Sequence, residues 1–128
     1  TIEANIPFAF VVENTTLPAG KYVIRVAETT DLNTLEISGA RRGTSVFFET
    51  EGVQPNRAPN KSELVFNKVG NMYFLSQVFA EGDSTGNQLL KSKMERRLED
   101  GGMKAKSHSV AAVKRPFKRV ARVAKKVV

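Results

Sequence analysis

Apolar residues take every second position from Ile2 to Val12: Ile2, Ala4, Ile6, Phe8, Phe10 and Val12 alternate with Glu3, Asn5, Pro7, Ala9, Val11 and Glu13. A period of two sends successive side chains to opposite faces, which predicts a half-buried strand. Pro7 has no N–H to donate, so this strand belongs at a sheet edge or carries a bulge. Asn14-Thr15-Thr16-Leu17-Pro18-Ala19-Gly20 then reads as a turn, because proline presets φ and glycine suits the turn's end. The alternation resumes from Lys21 to Glu28, with Tyr22, Ile24 and Val26 on one face and Arg25 on the other. The two segments form a β-hairpin.

Further strands are expected at 33–38 (Leu35, Ile37), 44–50 (Val46, Phe48), 62–69 (Leu64, Phe66) and 72–80. A polar turn, Gly39-Ala40-Arg41-Arg42-Gly43, separates the first two, and the loop 51–61 holds Pro55 and Pro59. Gly70-Asn71 closes a tight hairpin. The segment 72–80 is apolar on both sides, with Met72, Phe74 and Val78 against Tyr73, Leu75 and Phe79, as in a central strand covered twice. Beyond Gly86 the period changes, and Leu90, Met94 and Leu98 recur every four residues among charged ones. That spacing predicts a short amphipathic helix over 89–99, its Leu/Met stripe set on Tyr73, Leu75 or Phe79. The fold expected is all-β: an antiparallel sandwich or small barrel of about six strands with one helix.

Charge divides the chain. The 128 residues carry a net +7, yet all thirteen Asp/Glu lie before Gly102. Residues 1–102 hold eleven Lys/Arg and so sum to −2, whereas 103–128 hold nine and no acid. With Gly101-Gly102 as the joint, the reading is a β-domain over 1–100 and a basic tail over 101–128. No cysteine is present, which excludes disulfides, thiol nucleophiles and cysteine-bound metal. His108 is the only histidine, too few for imidazole metal sites, and no cofactor is expected. No run reaches the roughly 18 apolar residues of a membrane helix. The chain starts at Thr1 without Met, as a processed or trimmed form would.

Little of the remaining sequence points to catalysis. Gly82-Asp83-Ser84-Thr85-Gly86 matches the G-x-S-x-G elbow of serine hydrolases and lies between a strand and a helix. That fold needs parallel strands and a histidine partner, and His108 lies in the expected tail, so a connecting loop is the better reading. Glu49 and Glu51, two apart, could share a strand face as a carboxylate pair. Phe47, Tyr73 and Phe79 are the aromatics that could stack on bases, but aromatics in strands are ordinarily core.

Asn5-Ile6-Pro7-Phe8-Ala9-Phe10, Leu17-Pro18-Ala19-Gly20-Lys21-Tyr22, Leu64-Val65-Phe66-Asn67-Lys68-Val69-Gly70, Tyr73-Phe74-Leu75 and Leu90-Lys91-Ser92-Lys93 before Glu95 together carry a likeness. Over about residues 2–99 the chain resembles an uncharacterised family of small exported bacterial β-domain proteins. The resemblance implies a compact β-domain and an extracytoplasmic location, periplasmic or secreted. It implies no activity and no site residues, and it does not reach the basic tail.

In that tail Val113, Phe117, Val120, Ala124 and Val127 fall at steps of four and three, one stripe of a helix with cations on its other faces. A helix of about 12 residues with so many like charges is marginal alone in water. The tail is expected to be disordered in solution and helical on an anionic surface. Lys114, Arg115, Lys118, Arg119, Arg122, Lys125 and Lys126 would meet anionic lipid or an envelope polymer, with Phe117 as the apolar anchor. Nucleic acid, an acidic protein surface, or solvent alone are the other readings. The function expected is a non-enzymatic binding or structural module. A nucleic-acid-associated protein is the alternative and a Ser84 hydrolase the remote one.

Overall fold

The computed structural model describes residues 1–28, 31–39, 44–55 and 60–115. Among these residues the chain forms ten strands and one helix: β1 (Ile2–Ile6), β2 (Phe10–Val12), β3 (Thr15–Leu17), β4 (Gly20–Glu28), β5 (Asp31–Gly39), β6 (Ser45–Val53), β7 (Glu63–Val69), β8 (Met72–Phe79), β9 (Gly86–Leu89), α1 (Lys93–Asp100) and β10 (Ala105–Lys114). Eight of the strands close into a barrel in the order β1-β4-β5-β6-β9-β8-β7-β10, with β10 returning to β1. Every neighbouring pair around that ring is antiparallel. The β2–β3 hairpin lies outside the ring and joins it by a parallel bridge from Val11 to Phe74 of β8. The strands therefore exceed the six expected, and of sandwich and barrel the barrel is the form adopted.

The first strand and the Lys21–Glu28 strand pair as expected, Ile2 facing Ile24 and Ile6 facing Gly20. Pro7 does not mark an edge, because β1 has partners on both sides. It ends β1 instead: the chain leaves the ring at Pro7, forms the β2–β3 hairpin and returns as β4. Ile2, Ala4, Ile6, Phe10 and Val12 are all buried, so the period of two survives the interruption.

Eight strands enclose a space just wide enough to be filled by side chains. Ile6, Phe10, Ile37, Phe48, Leu64 and Phe66 are almost wholly buried in it. In β8 the register shifts where Val65 faces Gln77 and Phe66 faces Leu75, leaving Ser76 as an extra residue. Such a bulge reverses the alternation, which is how Leu75 and Val78 both join the barrel core. Phe74 points the other way, into a second cluster with Val11 and Val69 on the outer wall. The strand is covered on both faces, as its composition implied.

Helix α1 lies on this outer cluster and meets it through Leu98, not on Tyr73, Leu75 or Phe79. Leu90 and Met94 are 65% and 46% exposed, so the expected Leu/Met stripe is not the buried face. The reason is local: residues through Leu89 are drawn into β9 to close the ring, and the helix starts only at Lys93. Ser92 caps it, its Oγ accepting the Glu95 N–H at 3.2 Å. At the other end Met103 N–H donates to Leu98 O and Gly102 takes φ 95°, turning the chain into β10.

The largest departure from expectation is β10. The segment after Gly101-Gly102 does not begin a tail: Ala105–Lys114 is a strand of the barrel, paired with β7 on one side and β1 on the other. Its inward row, Lys106, His108, Val110 and Ala112, holds only two apolar residues, so periodicity does not announce it. Backbone pairing with two neighbours supplies what its side chains lack. The barrel thus extends at least to Lys114, and the N–H of Arg115 donates to Thr1 O at 2.8 Å. Residues 1–115 carry fifteen basic against thirteen acidic residues, so the body is slightly basic rather than acidic.

Two outcomes follow from this arrangement. A chain ending at Gly102 leaves β1 and β7 with bare edges and is expected to aggregate without a cooperative melt, whereas one ending at Arg115 melts cooperatively. Circular dichroism of the two truncations checks this, and a cooperative melt from the shorter chain would count against closure by β10. At Gly86 an added Cβ would stand 2.5 Å from the Phe79 ring and 3.1 Å from the Val78 carbonyl. Gly86→Ala is therefore expected to cost about 1–3 kcal/mol in urea unfolding. Ser84→Ala in the same loop should stay within about 0.5 kcal/mol of the parent.

Candidate anion-binding site

The inward row of β7 runs Leu64, Phe66, Lys68, and its apolar character ends where the barrel opens. Directly across on β10, Val110, His108 and Lys106 face the same three positions. Opposed residues of an antiparallel pair share a face, with Cβ atoms about 4.5–5.5 Å apart. Lys68 and Lys106 therefore stand side by side at one rim of the barrel. Lys104, two residues before Lys106, adds a third ammonium group. The three line an open groove of about 310 Å³ together with Gly70 and Met103. Gly70 takes φ 62° in the β7–β8 turn, and Met103 Sδ lies 3.0 Å from where a Cβ on residue 70 would stand.

Beneath the lysines lies a stack of rings. Phe8 lies parallel to Tyr73 with centroids 3.7 Å apart, and the His108 ring meets both edge-on at 5.4 and 5.7 Å. Phe8 is anchored in turn on Phe66, edge-to-face at 5.0 Å. Lys68 Nζ sits 5.5 Å from the Tyr73 centroid, on a ring whose packing against Phe8 fixes its place. Among the described residues none of Lys68, Lys104 and Lys106 has a carboxylate within ion-pair distance. Like charges placed directly opposite each other destabilise a strand pair. The rim is thus a patch of uncompensated positive charge on a fixed aromatic base.

The other end of the barrel is different. Lys114 Nζ reaches the Glu81 carbonyl at 3.3 Å and Asp83 Oδ1 at 3.5 Å, and Arg115 Nε donates to Glu3 Oε2 at 3.0 Å. The expectation that these two cations serve an anionic partner meets a structure in which both already have acidic neighbours. Lys118, Arg119, Arg122, Lys125, Lys126 and Phe117 lie outside the described residues.

The remaining candidates are dispersed. Ser84 is in the β8–β9 loop, beside Asp83 and so at the Lys114 end of β10. His108 is six residues up that strand, about 20 Å away, held by rings rather than lying in a tail. Glu49 and Glu51 do share the outer face of β6, where Thr34 Oγ1 donates to Glu49 and Gln88 stands opposite Glu51. Phe47 is 59% exposed on that wall, whereas Phe79 is buried against Gly86. Among the described residues no three His, Asp or Glu side chains are grouped to hold a metal ion.

One buried ionisable group sits behind the lysine rim. Glu95 of α1 is only 3% exposed and its Oε2 accepts from Asn67 Nδ2 at 2.9 Å, on the outer face of β7 next to Lys68. Burial pushes its carboxyl above the ordinary glutamate range, an effect the Asn67 hydrogen bond partly offsets. Glu95 and Leu98 are the side chains through which α1 meets the barrel, and α1 runs by way of Gly102 into Met103 and Lys104.

No family model, curated protein or solved structure matches this chain.

The lysine group could not be read from linear sequence because Lys68 and Lys106 lie 38 positions apart and meet only through the β7–β10 register. The usable signal was the period-two row Lys106, His108, Val110, Ala112, which marks a strand whose apolar half is short.

Because the folded chain holds the Glu95 proton more tightly than the unfolded chain, its stabilising contribution is complete below the ordinary glutamate range. It is lost as pH rises from about 4.5 through the raised value. Glu95→Gln keeps an acceptor for Asn67 and cannot ionise. It is expected to raise the melting temperature at pH 7 by about 2–5 °C and to leave it unchanged at pH 4. Thermal melts of parent and variant across that range test the sign.

Proposed function

We propose that this chain is a non-enzymatic binding module, a rigid β-barrel that associates with anionic surfaces outside the cytoplasm. The observation that carries the reading is the rim of Lys68, Lys104 and Lys106, three cations brought together without a neutralising carboxylate. Residues beyond Arg115 support it, since Lys118, Arg119, Arg122, Lys125 and Lys126 add five positive charges and no acid. Lys114 and Arg115, which meet Asp83 and Glu3, come shortly before those residues in the chain. Lysine and arginine near an anionic bilayer each contribute about 1 kcal/mol, and salt weakens the attraction. The extracytoplasmic location rests on the resemblance over residues 2–99 and is part of the proposal. Nucleic acid is the second reading, favoured by the same five tail cations through release of counterions.

Flotation with vesicles separates these readings. The full chain is expected to bind vesicles containing phosphatidylglycerol at low salt, to release them as salt rises, and to ignore zwitterionic vesicles. A chain ending at Arg115 should bind more weakly, keeping only the rim. Equal flotation with zwitterionic vesicles, or none with either, overturns the reading. Retention on DNA that outlasts vesicle binding at the same salt would favour nucleic acid instead.

A further inference from the structure

We infer that the groove between Lys68, Lys104 and Lys106 is a site for a compact, doubly charged oxyanion of the phosphate-monoester type. The inference deepens the reading of an anionic partner by naming the group that the rim would hold. Three features support it.

The first is the register. Lys106 faces Lys68 directly, so two ammonium groups rise from Cβ atoms about 5 Å apart on one face. A monoanion can offset one of these charges, whereas a dianion between them offsets both. The second is donor number. Each ammonium group carries three N–H donors and no acceptor. A phosphate monoester presents three outer oxygens, enough for each of the three lysines to donate to a different one. Such charge-assisted hydrogen bonds are the strong kind. The third is shape. The groove, about 310 Å³, is open to solvent, so the ester substituent can extend outward while the phosphate meets the lysines. Part of its lining does not need to form on binding: Met103 is packed on Gly70, and Lys68 rests over the Tyr73 ring that Phe8 holds in place.

The opposition of Lys68 and Lys106 also distinguishes a binding site from an ordinary solvated face. An opposed lysine pair weakens the β7–β10 pairing on which barrel closure relies. A carboxylate in place of either residue would strengthen it. The protein therefore carries, at a closing seam, a charge arrangement that a bound dianion would relieve.

The test uses the full chain, with amide chemical shifts followed during titration with inorganic phosphate and, at matched ionic strength, with acetate. Phosphate is expected to give saturable shifts at Lys68, Lys104, Ala105, Lys106 and His108 and to raise the melting temperature, while acetate does neither. Lys68→Gln and Lys106→Gln should each weaken phosphate binding at least tenfold. Lys106→Glu places opposite charges across the seam. It is expected to abolish phosphate binding while raising the melting temperature of the unliganded protein by about 2–5 °C, so loss of binding cannot be loss of fold. Non-saturable shifts, equal shifts with acetate, or undiminished binding by Lys106→Glu would overturn the site.

A second arm compares glycerol phosphate with vesicles containing phosphatidic acid, which presents the same monoester on a lipid. Binding of the soluble ester alone assigns a soluble ligand, and binding of both assigns a headgroup. Saturable phosphate binding without vesicle association upholds the site and removes the surface-binding role. Vesicle association without saturable phosphate binding does the reverse.

Discussion

Closure of the ring by β10 is the constraint on which the rest of the structure depends. Without it, β1 and β7 would each expose a row of unpaired backbone groups, and the filled interior would open along one side. The strand supplies little burial of its own, since Val110 is its one buried apolar residue. Its hold is the ladder on either side, seven register pairs to β7 and three to β1. The chain must also reach that slot after β9, which lies on the far side of β8 and β7 in the ring. Helix α1 makes the crossing over the outer wall, and the cluster of Val11, Val69 and Phe74 gives it a seat. Burying such side chains stabilises by about 1.5–3 kcal/mol each, so the crossover contributes to stability as well as to connection.

A closing strand with a lysine near each end sets a charge problem at both, and the two ends resolve it differently. At Lys114 and Arg115 the neighbouring loops bring Asp83 and Glu3 within reach, and the cations are compensated. At Lys106 the opposing residue is another lysine, and Gly70, Met103 and Lys104 line the same groove. Geometry alone does not require this, because a serine or an acid at residue 106 would serve the ladder equally well. On the proposed reading, the asymmetry belongs to what the rim meets rather than to what holds the barrel together.

Much of the ring was legible in the sequence because its walls alternate. Ile2, Ala4, Ile6, Phe10 and Val12, Tyr22 with Ile24, Leu35 with Ile37, and Leu64 with Phe66 are all buried as their period requires. What escaped has physical causes. β9 is four residues long and begins within a glycine-rich run that reads as a loop. β10 was concealed by its charge, since an acid-free segment after Gly101-Gly102 has the composition of a tail although its backbone is committed to the sheet. The same composition conceals the candidate site, because Lys104 and Lys106 read as tail and Lys68 as body. The helix was recognised from its spacing, yet its contact face was not. Burial of Glu95 is favoured by Asn67, a partner 28 residues away that no helical periodicity can reveal.

That buried carboxyl links the crossover to the rim. Asn67 and Lys68 are adjacent on β7 and point to opposite faces, one toward α1 and the other toward the groove. The seat of α1 thus lies at both ends of one short path, Asn67 on β7 at one end and Gly102 and Met103 on the approach to Lys104 at the other. At that seat the Asn67 donor partly offsets the cost of burying the Glu95 carboxyl, a cost that holds the group toward its protonated form. One strand therefore presents a buried acid's partner to the helix on its outer face and a cation to the groove on its inner face, with a single peptide bond between them.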